Sequence, residues 1–170
     1  MCNQYENLII RKATKEEIDD CMKIIKEKSK WLKSKGINQW TSFFTRDNSY
    51  LMEKVENEIL YIVKIENDIC ATFVLQENDK YWEDDKNALY IHHLAVKNGY
   101  KGLGKYIIEK IKLIAQNAKK EYVRLDNVAD NKKLNEYYDS IGFVIKKEIN
   151  DDMYHCVLRE ISVIEEKSQN

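Results

Sequence analysis

Three of the chain's five glycines fall in Gly99-Tyr100-Lys101-Gly102-Leu103-Gly104. Glycine lets a backbone take positive φ and approach a ligand closely, and a helix start offers N–H donors with a partial positive charge. A glycine turn that opens a helix therefore suits a phosphate or pyrophosphate. Lys101 and Lys105 add cationic side chains. No Ser, Thr, Asp or Asn directly precedes the helical pattern, so its first N–H groups are left to water or a ligand. The plainer alternative is a tight turn whose glycines serve backbone geometry alone. Spacing sorts the phosphate-binding patterns. A Walker loop needs Ser or Thr after the lysine, and Lys105 is followed by Tyr106. The dinucleotide fingerprint is G-x-G-x-x-G, whereas this turn reads G-x-x-G-x-G, although Asp126 lies about where a ribose-binding acid would.

Proton-transfer candidates come next. His92 and His93 are adjacent in Ala88 to Val96 (ALYIHHLAV). On a regular strand they face opposite sides, so at most one lines a pocket, and His92 shares its face with Tyr90, Leu94 and Val96. A neutral imidazole is available as a base near neutral pH, and a hydrogen-bonded core histidine is the alternative. Asp79, Glu83, Asp84 and Asp85 sit with Tyr81 and Trp82 between about 77 and 87, a solvated loop or an acidic rim for a cationic amine. Cys2, Cys21, Cys70 and Cys156 are far apart and form no CxxC pair. Neither a metal site nor a disulfide framework is expected, and reduced thiols fit a cytoplasmic protein.

The elements that must position these groups follow from periodicity. Ala88 to Val96 is short, β-branched and aromatic and reads as a buried strand. Leu103, Ile107, Ile111, Ile114, Ala115 and Ala118 recur at helical spacing. The glycines therefore form a strand-to-helix turn. Upstream, Leu8-Ile9-Ile10 is a short strand, and Thr14 with Glu17 is a capping box that opens a helix carrying Ile18, Cys21, Met22 and Ile25 on one face. Gly36 stops that helix, with Trp31, Trp40, Phe43 and Phe44 nearby as core or pocket wall. A second helix runs from about Asn48 to Val55. Glu58 to Ile65 and Asp68 to Gln76 form a hairpin across Glu66-Asn67. Downstream, Tyr122 to Asn127 is a strand, and a helix from about Asn131 carries Leu134, Tyr137, Tyr138 and Ile141 to a stop at Gly142. Phe143 to Ile145 and Met153 to Leu158 make a closing hairpin, and Val163 to Asn170 a frayed tail.

Two motifs carry a family resemblance. Leu94-Ala95-Val96-Lys97-Asn98 followed by the glycine turn resembles the acetyl-CoA loop of the GNAT superfamily of acyl-CoA N-acyltransferases, with Gly99 where that family usually has Arg or Gln. Asn131-x-x-Leu134-x-x-x-Tyr138-x-x-x-Gly142-Phe143 resembles the second hallmark of the same superfamily in full. Trp31-Leu32-x-x-x-Gly36-Ile37-x-Gln39-Trp40 resembles a segment of small bacterial GNAT-like proteins in which the first two helices cover the acceptor site. The resemblance spans roughly Ile59 to Ile161.

It implies an α/β fold of the α+β kind: a mixed, largely antiparallel sheet of about seven strands, helices on both faces, splayed where acetyl-CoA enters. It implies that the main chain of Leu94, Ala95 and Val96 pairs with the pantetheine amides, that Tyr100, Lys101, Gly102, Leu103, Gly104 and Lys105 hold the pyrophosphate, and that Asn131 orients the cofactor arm. Tyr138 would protonate the coenzyme A sulfur; read without the motif, it is a core tyrosine. A histidine of arylalkylamine N-acetyltransferase resembles His92 in its placement and lies on the deprotonating path. Trp31, Gln39, Trp40 and Tyr90 are the candidate acceptor contacts.

At 170 residues and 44% apolar composition, the chain is expected to form a single domain over 1–170. The net charge of −1 and scattered basic residues speak against nucleic acid, and no apolar run approaches a membrane span. The expected partner is a small-molecule or peptide amine, with the protein a monomer or homodimer. The expected reaction is acetyl transfer from acetyl-CoA to an amine, without a metal. A non-catalytic acyl-CoA binding module and a dinucleotide-binding protein are the two alternatives.

Overall fold

The β-branched and aromatic runs become strands, and the runs with helical periodicity become helices. The computed structural model describes residues 5–152 and 154–164. Its strands are β1 (Leu8–Lys12), β2 (Leu60–Ile65), β3 (Asp68–Gln76), β4 (Ala88–Val96), β5 (Tyr122–Val128), β6 (Val144–Asn150) and β7 (His155–Ser162). They form one seven-stranded sheet in the order β1-β2-β3-β4-β5-β7-β6. Among the described residues the α-helices are α1 (Ile18–Ser34), α2 (Ser49–Glu56), α3 (Leu103–Asn117) and α4 (Lys132–Ile141). The pairs β1–β2, β2–β3, β5–β7 and β6–β7 are antiparallel and β4–β5 is parallel, so the sheet is mixed and largely antiparallel as expected.

Contacts divide the chain into two units: residues up to Leu75 together with His92–Tyr106, and Gln76–Ile91 together with residues from Ile107 onward. In the first, the Thr14–Glu17 capping box is present, but it opens a 3-10 turn, Lys15–Glu17, before α1 begins. Ile18, Cys21, Met22, Ile24 and Ile25 of α1 pack into one core with Phe43, Leu51, Leu60, Ile62, Val74 and Ala95. Full burial of each such aliphatic side chain contributes about 1.5–3 kcal/mol. β2 and β3 turn over Glu66-Asn67 as expected, with Glu66 at φ 55°. A second 3-10 turn, Thr41–Phe44, was not visible in the periodicity; it buries Phe43.

In the second unit, β4 and β5 pair in parallel from Ala88↔Tyr122 to Ile91↔Leu125. β7 lies between β5 and β6. The closing hairpin is longer than the sequence suggests: β6 continues through Lys146, Lys147 and Glu148. Those residues lie on an exposed strand, where charge opposes edge-to-edge association and hides the strand from a hydrophobicity reading. Val163, expected to begin a frayed tail, is instead buried; its N–H donates to the Glu121 carbonyl, and its own carbonyl accepts from Gln116 Nε2. Met153, expected to start the last strand, and residues 165–170 of the expected tail lie outside the described residues.

Candidate active site

The glycine turn has the conformation its sequence requires. Gly99 and Gly102 adopt φ of 96° and 78°, and a Cβ added to either would meet nothing within 4 Å. Glycine is demanded there by backbone conformation, and open space lies alongside. The turn closes with the Leu103 N–H on the Tyr100 carbonyl and enters α3 with the Tyr106 N–H on the Gly102 carbonyl, both at 3.3 Å.

Residues distant in sequence hold this loop. The Tyr5 hydroxyl donates to the Lys101 carbonyl at 2.7 Å, and its ring lies 5.7 Å from that of Tyr106. Asp68, at the start of β3, accepts from Lys97 Nζ and from the Tyr100 hydroxyl, each at 2.5 Å. The Lys97 bond, then the Tyr100 bond, holds the Asp68 carboxyl below its usual range. The Asp68 bond pushes the Tyr100 phenol up to about 12. With its hydroxyl on Asp68 and its carbonyl on the Leu103 N–H, Tyr100 has its main-chain N–H to offer a ligand. Beside the loop is a cavity of about 320 Å³ lined by Lys28, Val96, Lys97, Asn98, Gly99, Tyr100, Lys101 and Gly104. Of the expected cofactor residues, it gathers Val96, Tyr100, Lys101 and Gly104. Sequence reasoning missed Tyr5, Lys28 and Asp68 because none belongs to a local motif; Tyr5 and Lys101 are 96 positions apart.

The two histidines depart from strand alternation. His93 sits at φ 51°, a left-handed backbone in mid-strand, and the rings of His92 and His93 are only 6.2 Å apart. The expected opposite-face arrangement, with His92 in phase with Leu94 and Val96, assumed a regular pleat that a positive φ interrupts. His93 Nε2 is hydrogen-bonded to the Tyr50 hydroxyl at 2.8 Å, and its ring meets Trp40, Phe43 and Tyr50 edge-on. Burial first, then the positive charges of His92, Arg46 and Lys54, lowers the His93 pKa to about 3. It is a neutral imidazole at physiological pH and too weak a base to deprotonate an amine.

The aromatic segment before α2 wraps this histidine. Trp40 adopts φ 58°, and the Ser29 hydroxyl, on α1, lies 3.2 Å from the Gln39 carbonyl and 3.0 Å from that of Trp40. Arg46 stacks on Phe43 and Tyr50. Two buried polar atoms here, Gln39 Oε1 and His93 Nδ1, have no hydrogen-bond partner among the described residues. Trp31, on α1, is half-exposed under the Lys28 ammonium.

In the second unit, Asn131 is the N-cap of α4: its Oδ1 accepts from the Leu134 N–H at 3.2 Å. Gly142, at φ 107°, ends the helix, with its N–H on the Tyr138 and Asp139 carbonyls. Between these caps, the Tyr138 ring packs on Tyr137, Phe143 and the Arg159 guanidinium. Burial, then Tyr137 and Asp126, raises its phenol pKa well above the usual value against a lowering by Arg159. It rests protonated, and no described residue hydrogen-bonds its hydroxyl. Tyr90, expected near the acceptor, is instead 4% exposed and accepts a hydrogen bond from Arg124 at 2.9 Å. Asp84, read as solvated or as part of an acidic rim, is a bidentate partner of Arg124.

No helix among the described residues is long and apolar enough to cross a membrane. A family model described as the acetyltransferase (GNAT) family matches residues 25–143. The chain is 26% identical over 160 residues to the uncharacterized N-acetyltransferase YesJ of Bacillus subtilis (strain 168), covering 88% of each chain. The fold is similar to that of a GNAT-family acetyltransferase from Listeria monocytogenes 4b F2365, with a TM-score of 0.76, 20% identity, and 91% and 94% of the two chains covered. It is also similar to YncA from Salmonella typhimurium, solved with its cofactor acetyl-CoA, with a TM-score of 0.68, 12% identity, and 97% and 99% covered.

Proposed function

The chain belongs to the acetyltransferase (GNAT) family, and from that premise we propose that it transfers an acetyl group from acetyl-CoA to a primary amine of a small molecule, peptide or protein, by direct attack in a ternary complex. The observation that carries this reading is the cavity at the start of α3, lined by residues 96–101, Gly104 and Lys28, in a turn that holds left-handed Gly99 and Gly102. Its volume, N–H donors and lysines fit a diphosphate-bearing ligand. Acetyl-CoA supplies the activated acyl group and a thiolate leaving group. The main chain of Leu94, Ala95 and Val96 binds the pantetheine amides, and residues Tyr100 to Lys105 hold the pyrophosphate. Asn131 orients the cofactor arm through Nδ2. Tyr138 donates its proton to the departing sulfur, a role suited to a phenol that rests protonated. His92 takes the proton from the amine, directly or through water, a task for which His93 is too weakly basic. Gln39 and Trp40 are the acceptor contacts we assign on the His93 side, with Trp31 on α1. The buried thiols of Cys21, Cys70 and Cys156 support a cytoplasmic location.

Thiol release from acetyl-CoA across a panel of amines tests the reading, and binding without turnover on any of them would favour an acyl-CoA binding module. With an active amine, Tyr138→Phe should lower kcat by about 10²–10⁴ with little change in cofactor affinity. A loss under threefold would contradict the assigned role. His92→Gln should remove the rising limb of the kcat/KM pH profile, and His93→Gln should leave that limb in place.

A further inference from the structure

The cations around the loop cavity differ in what already neutralises them. Lys97 is committed to Asp68, its Nζ 2.5 Å from the carboxylate. Lys101 is exposed to solvent. Lys28 is neither: it enters the cavity wall from α1, far from the loop in sequence, and is partly buried. Among the described residues no carboxylate pairs with it, and its Nζ lies 5.0 Å from the centre of the Trp31 ring. Burial alone lowers its pKa, which is the signature of an ammonium that has lost water without gaining a counter-charge. A partly buried ammonium on a residue that lines a cavity is complemented by an anion placed in that cavity. The rest of the lining, Val96 to Lys101 with Gly104, comes from the glycine loop and the first turn of α3.

We propose that Lys28 is a further ligand of the diphosphate group of the acyl-CoA, closing from α1 the cavity that the glycine loop forms on the other side. This rests on the reading of that cavity as the cofactor site. Lys28 then contributes a point charge from a helix while the loop contributes directed N–H donors, so a single group is read by two elements.

Calorimetric titration of the full chain with acetyl-CoA and with 3′-dephospho-acetyl-CoA tests this, using wild type, Lys28→Met and Lys28→Arg, each checked by thermal melting. Lys28→Met keeps the aliphatic stem and should weaken both ligands at least ~10-fold, about 1.4 kcal/mol. Lys28→Arg should stay within about threefold of wild type. Equal affinity of Lys28→Met and wild type would overturn the proposal. So would a loss confined to acetyl-CoA, which would place Lys28 on the 3′-phosphate, or a loss shared by a folded Lys28→Arg. A wild-type chain that binds neither ligand would instead remove the cofactor reading itself.

Discussion

In the first unit His93 is enclosed by Trp40, Phe43 and Tyr50, with a phenol hydroxyl as its one hydrogen-bond partner among the described residues, and its pKa falls to about 3. In the second, Arg124 is fully buried yet keeps its charge. Glu160 lies 2.6 Å away, Asp84 grips it bidentately, Tyr90 accepts a third contact, and Trp82 stacks 3.9 Å from its guanidinium. The contrast follows from intrinsic basicity. A histidine sheds its proton for little free energy when water is removed, whereas an arginine cannot and must be supplied with carboxylates. Arg159 repeats the second solution, with Asn127, Asn135 and Asp139 around it. The chain thus buries a neutral ring where an amine acceptor is assigned and paired charge elsewhere.

Removing a carboxylate from the buried pair should break this contrast most sharply. Glu160→Ala leaves Arg124 charged with only the half-exposed Asp84, and should destabilise the fold by about 3–5 kcal/mol in urea unfolding. Arg124→Met combined with Glu160→Leu should lose far less, because no unpaired charge remains. A cost under about 1 kcal/mol for Glu160→Ala alone would mean that Asp84 suffices.

The histidine side is read by pH. Between about 6.5 and 3 the unfolded chain binds a proton at His93 that the folded chain refuses, so stability rises with pH across that window and is lost as pH falls. The slope is at most about 1.4 kcal/mol per pH unit, or about 2 kcal/mol by pH 5. Chemical denaturation of wild type and His93→Gln at pH 7 and pH 5 measures it, and the difference between the two proteins should narrow at the lower pH. A smaller effect is expected for Tyr50→Phe, which removes the hydroxyl bonded to His93 Nε2 and should cost about 1 kcal/mol at pH 7. No change would show that the ring cage alone positions the imidazole.

Much of this was legible in the sequence where the signal was local. β4 and the start of α3 fall where β-branched composition and helical spacing place them, α4 begins just after Asn131, and Gly142 ends it. What was not legible depends on tertiary placement or on one backbone angle. The φ of His93 shifts the phase of a strand, and hydrophobic periodicity carries no mark of a single backbone angle. Lys28, Asp68 and Tyr5 reach the loop from elsewhere in the chain. Asp84 looked like part of a solvated acidic run because its partner lies 40 positions away. Arg124 in a strand gave no sign of being buried until the carboxylates around it were known.

The position of β7 between β5 and β6 bears on how the chain folds as it leaves the ribosome. β1, β2 and β3 pair with neighbours in sequence order, so their ladder can close early in synthesis. One edge of β5 must wait for β7. Arg124 emerges 36 residues before Glu160, and over that interval it lacks its most buried counter-ion. Arg159, the residue beside Glu160, then delivers the second network from the same strand. Vectorial synthesis therefore leaves the second unit without its full interior until β7 arrives, and premature termination ahead of β7 would yield a chain with Arg124 paired to the half-exposed Asp84 alone and the edges of β5 and β6 open to other chains.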